Sequence, residues 1–321
     1  MLFRSENLST KNIRYFAQKK LPFLCALVTY IVFKRPSLIV CDHIGPASLL
    51  AIIPNFLLKK VVVFLHDEEA WKPVTARHRQ GLIKATHILC NSQYTYKKFI
   101  AHNSIFASKT QVCLLAGVPK SFENTVLQTS STAYSNWLEG TPYLIFVSRL
   151  WQEHRYKGYL ELIEGWKLAK EKNPLFALRL AIVGSGDDAQ NVQEKILTSV
   201  LSDQISLFTQ ISDAALSVFY SKSHGLIFPS VREGFGFVFL EAMYFGKCCV
   251  GVKDQPAEEI IDQNNSGILM KDNSSESICE VLLNIAADPE KYEQMGKRGK
   301  KIYEEKFTNQ HFKTRFLNCI E

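Results

Sequence analysis

Short apolar runs rich in β-branched residues recur along the chain, and the stretches between them return apolar residues every three or four positions. Ser37–Cys41, Val61–Leu65, Thr86–Cys90 and Gln111–Leu115 read as buried strands, with helices predicted over Ala47–Leu58 and Ser92–His102. A second series opens with a strand at Tyr143–Ser148 and a helix from about Lys157 to Lys170. Strands at Leu178–Val183, Ile205–Phe208, Gly225–Phe228 and Cys248–Val252 follow, with an apolar helix over Phe237–Phe245. Strands alternating with helices imply parallel sheets covered on both faces. The expected class is α/β, two doubly wound domains facing a cleft, with ligands beyond the carboxyl ends of the strands.

The polar run Gln128–Thr132 marks a linker. The expected division is 1–127 for the first domain, 128–142 for the linker, 143–305 for the second domain and 306–321 for a final helix crossing back. In that tail Phe312, Phe316 and Ile320 recur every four residues, as a packing face does. The apolar stretch Leu21–Phe33 is too short for a spanning helix, which needs about 20 apolar residues, so a buried or interfacial helix is expected there.

Composition adds a charge asymmetry. Residues 1–110 hold 16 Lys and Arg against 5 Asp and Glu, whereas residues 111–321 hold 22 against 26. A basic first half suits either a solvated face or an acidic neighbour such as an anionic membrane surface. No recognisable nucleic-acid module accompanies it, so nucleic acid is not an expected partner. The eight cysteines include no C-x-x-C pair and read as reduced core residues of a cytoplasmic protein.

The chemistry concentrates in Pro229–Glu241, where a strand gives way to Glu233-Gly234-Phe235-Gly236 and an apolar helix carrying Glu241. Glycines let the backbone approach a ligand, the helix start offers free N–H donors, and carboxylates accept from paired sugar hydroxyls. Arg149 at one strand end and Lys157 near the next helix start suit a diphosphate. Ser148 and Gly184 stand at neighbouring strand ends, and His66 ends the strand Val61–Leu65. Gly184–Ala189 also fits the loose dinucleotide fingerprint. Thr209-Gln210 stands where that fingerprint needs a ribose-binding acid, and Asp187 and Asp188 would repel a pyrophosphate.

The spacing E-x7-E with G-F-G between the acids resembles the retaining GT-B glycosyltransferases of family 4, a fold of two Rossmann-like domains. The resemblance runs from about Tyr143 to Lys271 and is thinner in the first domain. Members usually open with a strand and a glycine-rich loop, whereas the first glycine here is Gly45, so the expected first domain is reduced. The resemblance implies transfer from a nucleotide sugar to a glycan or lipid-linked acceptor with retention of configuration. It gives Glu241 to the nucleotide ribose and Glu233 to the donor sugar, with the amides around Gly234, Phe235 and Gly236. Arg149 and Lys157 go to the pyrophosphate, His66 to the donor sugar near the reacting centre, and Gly184 near the base. Glu259 is the better match to an acid in the family's G-G-x-x-E loop. No D-x-D motif is present, so neither a metal nor any other cofactor is expected. The alternatives are a non-catalytic subunit of the same fold or an epimerase-like enzyme.

Overall fold

The structure is a computed structural model that describes residues 20–123 and 134–321. The predicted linker start, Gln128–Thr132, lies outside the described residues. Two parallel sheets organise the chain. The first has the order β1-β2-β3-β4, from β1 (Ile39–Cys41), β2 (Val61–Leu65), β3 (His87–Cys90) and β4 (Thr110–Val112). The second has the order β10-β9-β8-β5-β6-β7, from β5 (Tyr143–Val147), β6 (Arg179–Val183), β7 (Ile205–Phe208), β8 (Gly225–Ile227), β9 (Cys248–Val252) and β10 (Gly267–Met270). β2, β6 and β9 are buried at every position, which explains why they are apolar throughout apart from Arg179 at the start of β6.

In the first half the helices are α1 (Lys20–Lys34), α2 (Ile44–Ala47), α3 (Ala76–Lys84), α4 (Gln93–His102) and the short α5 (Lys120–Glu123). The second half holds α6 (Ser135–Leu138), α7 (Tyr159–Lys172), α8 (Ala189–Leu197), α9 (Asp213–Lys222) and α10 (Phe237–Tyr244). It ends with α11 (Ser275–Ala287), α12 (Pro289–Lys306) and α13 (Asn309–Ile320). Ser92 and Ser212 cap α4 and α9, their hydroxyls accepting from Thr95 and Ala215 N–H.

Two sequence expectations change, and one strand is added. The single helix expected over Ala47–Leu58 is α2 followed by two 3₁₀ turns, Ser48–Ile52 and Asn55–Leu57, because Pro54 cannot continue a helical ladder. Lys157 does not begin α7. It closes a 3₁₀ turn, Gln152–Lys157, and Gly158 caps α7 in the left-handed region at φ 82°. β10 was not anticipated from its short run after the polar Asp262–Ser266. α1 buries Ile31 but leaves Leu21, Tyr30 and Phe33 exposed. Among the described residues no helix is long and apolar enough to cross a membrane.

The C-terminal α13 returns to the first sheet. Phe312 and Phe316 lie 6.2 and 5.9 Å from the Phe64 ring of β2. The Arg315 guanidinium donates to the Leu114 and Leu115 carbonyls, and the Lys60 amine donates to the Ile320 carbonyl. Phe64 is buried between its own sheet and this helix. Phe64→Ala is therefore expected to cost about 3–4 kcal/mol in urea unfolding, with full-length protein recovered. A cost below about 1 kcal/mol would mean that α13 is not docked there.

Candidate active site

The loop from β8 to α10 is built by two glycines. Gly236 caps α10 at φ 94°, a conformation other residues reach only at a cost. Gly234 is pressed against the first half of the molecule, where an added Cβ would run into the Asp67 carboxylate and the His66 carbonyl. Its own carbonyl accepts from the Ser92 hydroxyl of the α4 cap at 2.7 Å and from the Thr95 hydroxyl at 3.4 Å. The segment is thus gripped from both halves of the chain.

Glu233 forms an ion pair with Lys157, and the Ser230 hydroxyl donates to the same carboxylate oxygen at 3.1 Å. Both charged side chains are about one-eighth exposed, so each needs the other in the absence of a ligand. They line a cavity of about 410 Å³ together with Arg149 and, from the first half, Asp67, Glu68 and Trp71. Arg232 reaches across to Glu68 at 2.6 Å. His154, in the same wall, is held below its ordinary imidazole value, first by burial and then by the Arg149 and Lys157 charges. Burial pushes the Tyr156 phenol up to about 12, helped by Glu233, Glu68 and Asp67. Acids and cations from both halves therefore converge on one small space.

The other predicted residues sit around this space. The His66 side chain is largely buried, stacked on Phe64 at 5.8 Å, with its Nε2 3.0 Å from the Asp42 carboxylate. Asp42, His43 and His66 bring ligand atoms within 4.8 Å of one another, a donor set able to take a divalent cation. Each histidine already has an acid partner, since His43 lies 3.3 Å from Glu69. Phe235 is buried and packs edge-on to Phe237 at 5.4 Å, so only its backbone is free for a ligand. The Ser148 hydroxyl donates to the Arg149 carbonyl at 3.1 Å. Gly184 packs against the Ser148 carbonyl, which leaves no room for a side chain. Ser148, Gly184 and Glu241 do not line the 410 Å³ cavity.

Glu241 lies inside α10 and is buried. One carboxylate oxygen accepts from the Tyr220 hydroxyl at 2.8 Å. Burial pushes this carboxyl up to about 7, against the pull of that hydrogen bond. Glu259 has a role that the sequence did not disclose. Its carboxylate accepts from the Gln93 and Tyr94 amides at 2.6 and 2.8 Å and so caps α4 from the other half of the chain. Tyr220, Ser92 and Asp42 were also missed, because each acts through a partner far away in sequence. Asp188, read with Asp187 as an acid that would repel a pyrophosphate, is fully buried and held by Arg155 at 2.7 and 2.8 Å and by Tyr159 at 2.7 Å. A wider groove of about 1070 Å³ opens at the opposite end of the second sheet, beside Pro142, Leu178 and Lys247. It gathers none of the predicted site residues.

Known proteins share the fold. HepE from Anabaena, solved with UDP, superposes with a TM-score of 0.75 at 19% identity, covering 92% of this chain and 81% of that one. A glycosyltransferase from Rickettsia africae gives 0.76 at 18% identity, covering 95% and 83%. In sequence, an uncharacterized glycosyltransferase of Haemophilus influenzae is 28% identical over 47% of this chain and 42% of its own length. The capsular polysaccharide biosynthesis glycosyltransferase CapM of Staphylococcus aureus is 22% identical over 79% and 61%. The matched segments thus span about half of these two relatives. The two parallel sheets have the GT-B architecture. Residues 129–302, more than half of the chain, match the family described as glycosyl transferases group 1, and the protein belongs to that family.

Proposed function

We propose that the protein transfers a sugar from a nucleotide-diphosphate sugar to a glycan or lipid-linked acceptor, retaining the anomeric configuration and using no metal ion. The observation that carries this reading is the Lys157–Glu233 pair, set beside Arg149 in a cavity walled by both halves of the chain. HepE was solved with UDP-glucose, and CapM is named for capsular polysaccharide biosynthesis.

Breaking the anomeric C–O bond leaves positive charge on the sugar and negative charge on the departing diphosphate. Lys157 exchanges Glu233 for the diphosphate, with Arg149 and the first N–H groups of α10 completing its neutralisation. Glu233 is then free to accept from donor-sugar hydroxyls, and Glu241 accepts from the ribose. His66, steadied by Asp42, contacts the sugar near the reacting carbon, while Ser148 and Gly184 border the base. The acceptor hydroxyl attacks on the face the leaving group departs from and passes its proton to the leaving phosphate oxygen. No protein nucleophile is required, so the protein's work is positional and electrostatic.

A thermal-shift panel of UDP, GDP and ADP with their common sugars tests this. One nucleotide sugar is expected to raise the melting temperature without added metal, and Lys157→Ala and Glu241→Ala should lose most of that rise. Equal shifts in both variants and the parent would remove these residues from the site.

The same reading has this cytoplasmic enzyme rest on an anionic membrane surface through its first half. Ile52, Phe56 and Ile83 are 66, 81 and 50% exposed. They lie around Lys84, whose amine donates to the Ile53 carbonyl and the Asn55 side chain. Exposed apolar side chains beside a lysine suit a charged lipid interface. Liposome flotation is expected to show salt-sensitive binding to anionic vesicles that falls several-fold in Phe56→Ser. Absence of such binding would leave the basic half as a solvated face.

A further inference from the structure

We infer that Tyr220 is a positioning residue for nucleotide binding: its hydroxyl orients the Glu241 carboxylate and favours its charged form, with one oxygen left for the ligand. The inference rests on the reading of Glu241 as the ribose acceptor. Tyr220 belongs to α9 and is fully buried, its ring stacked on Phe245 at 5.9 Å and tilted against Phe122 at 6.0 Å. That packing fixes where the hydroxyl points, and it reaches Glu241 Oε2 at 2.8 Å. The other carboxylate oxygen has no hydrogen-bond partner among the described residues.

A carboxylate taken out of water with no cation beside it prefers to be protonated. A protonated acid has lost part of its accepting power, which a ribose diol needs. The groups acting on Glu241 are few. From α9 they are Tyr220, which favours the charged form, and Asp213, which disfavours it. Cys249 of β9 acts on Tyr220, not on Glu241. No lysine or arginine pairs with Glu241 among the described residues. Among the described residues the Tyr220 hydroxyl is thus the one group in contact that favours the charged form near neutral pH, where burial has brought the titration of Glu241.

The sign of the effect follows. Affinity is full where Glu241 is ionised and falls as pH drops through its folded value. Removing the hydroxyl moves that value up. Tyr220→Phe keeps the ring and the packing, so the variant is expected to fold. The dissociation constant of the nucleotide sugar favoured in the thermal-shift panel, UDP-glucose or GDP-mannose, would be measured from pH 5.5 to 8.5. These donors carry no phosphate group that titrates over that range. The wild-type curve should weaken below about pH 7. In Tyr220→Phe its midpoint should move up by about one unit, giving roughly five-fold weaker binding at pH 7 and convergence with wild type at the alkaline end. Glu241→Gln should flatten the curve altogether. Superimposed wild-type and Tyr220→Phe curves, with only a lower melting temperature, would overturn the positioning role. A wild-type pH dependence that persists in Glu241→Gln would instead remove Glu241 from the nucleotide site, and the inference with it.

Discussion

The contact on which the rest depends is the one at Gly234. The loop carrying Glu233 crosses the gap between two sheets and comes so close to Asp67 and the His66 carbonyl that no side chain fits. Ser92 and Thr95 then bind its carbonyl, and Glu259 caps the same helix from the opposite half. With the loop fixed in this way, the side chains of Glu233, Lys157 and Arg149 share a wall with Asp67, Glu68 and Trp71. A bulkier residue at 234 would separate the halves and dissolve the cavity rather than merely alter one contact.

The electrostatics fit a site that waits for a ligand. Buried charges are costly without partners, and each acid of the 233–241 segment has found one. Glu233 is neutralised by a lysine, an arrangement that a diphosphate can exchange because it brings its own negative charge to Lys157. Glu241 has only a phenol, which leaves it balanced between its charged and neutral forms. In the proposed function the two acids serve different parts of one donor, and their different partners give them different ground states. Arg149 makes no carboxylate pair among the described residues and lies 5.4 Å from the Trp151 ring, a cation kept available by the cleft.

Much of the architecture was legible because buried parallel strands write themselves as unbroken apolar runs. Val61–Leu65 and Cys248–Val252 carry identical bounds in sequence and structure, and so does the half-buried edge strand Ile205–Phe208. Elements whose limits are set by tertiary contacts were harder. Pro54 splits a helix that periodicity alone would continue, and Gly158, with its left-handed backbone, delays α7 by two residues. Of the residues picked out by local signals, Glu233, Arg149 and Lys157 share one cavity wall, whereas Glu241, Ser148 and Gly184 stand outside it. Partnerships across the chain were not legible. Tyr220 precedes Glu241 by 21 residues, Glu259 follows Gln93 by 166, and nothing in the intervening sequence announces either meeting. Asp188 likewise pairs with Arg155, 33 residues before it, a buried partnership that the local acid pattern does not disclose.

In the proposed function a nucleotide-diphosphate sugar lies between the Arg149–Lys157 cations and the two acids of the 233–241 segment. A crystal structure with the donor soaked into the full chain tests it most directly. The Lys157 amine is expected within hydrogen-bonding distance of the diphosphate and withdrawn from Glu233, with the ribose hydroxyls on the free oxygen of Glu241. A donor bound elsewhere, with the Lys157–Glu233 pair intact, would contradict it.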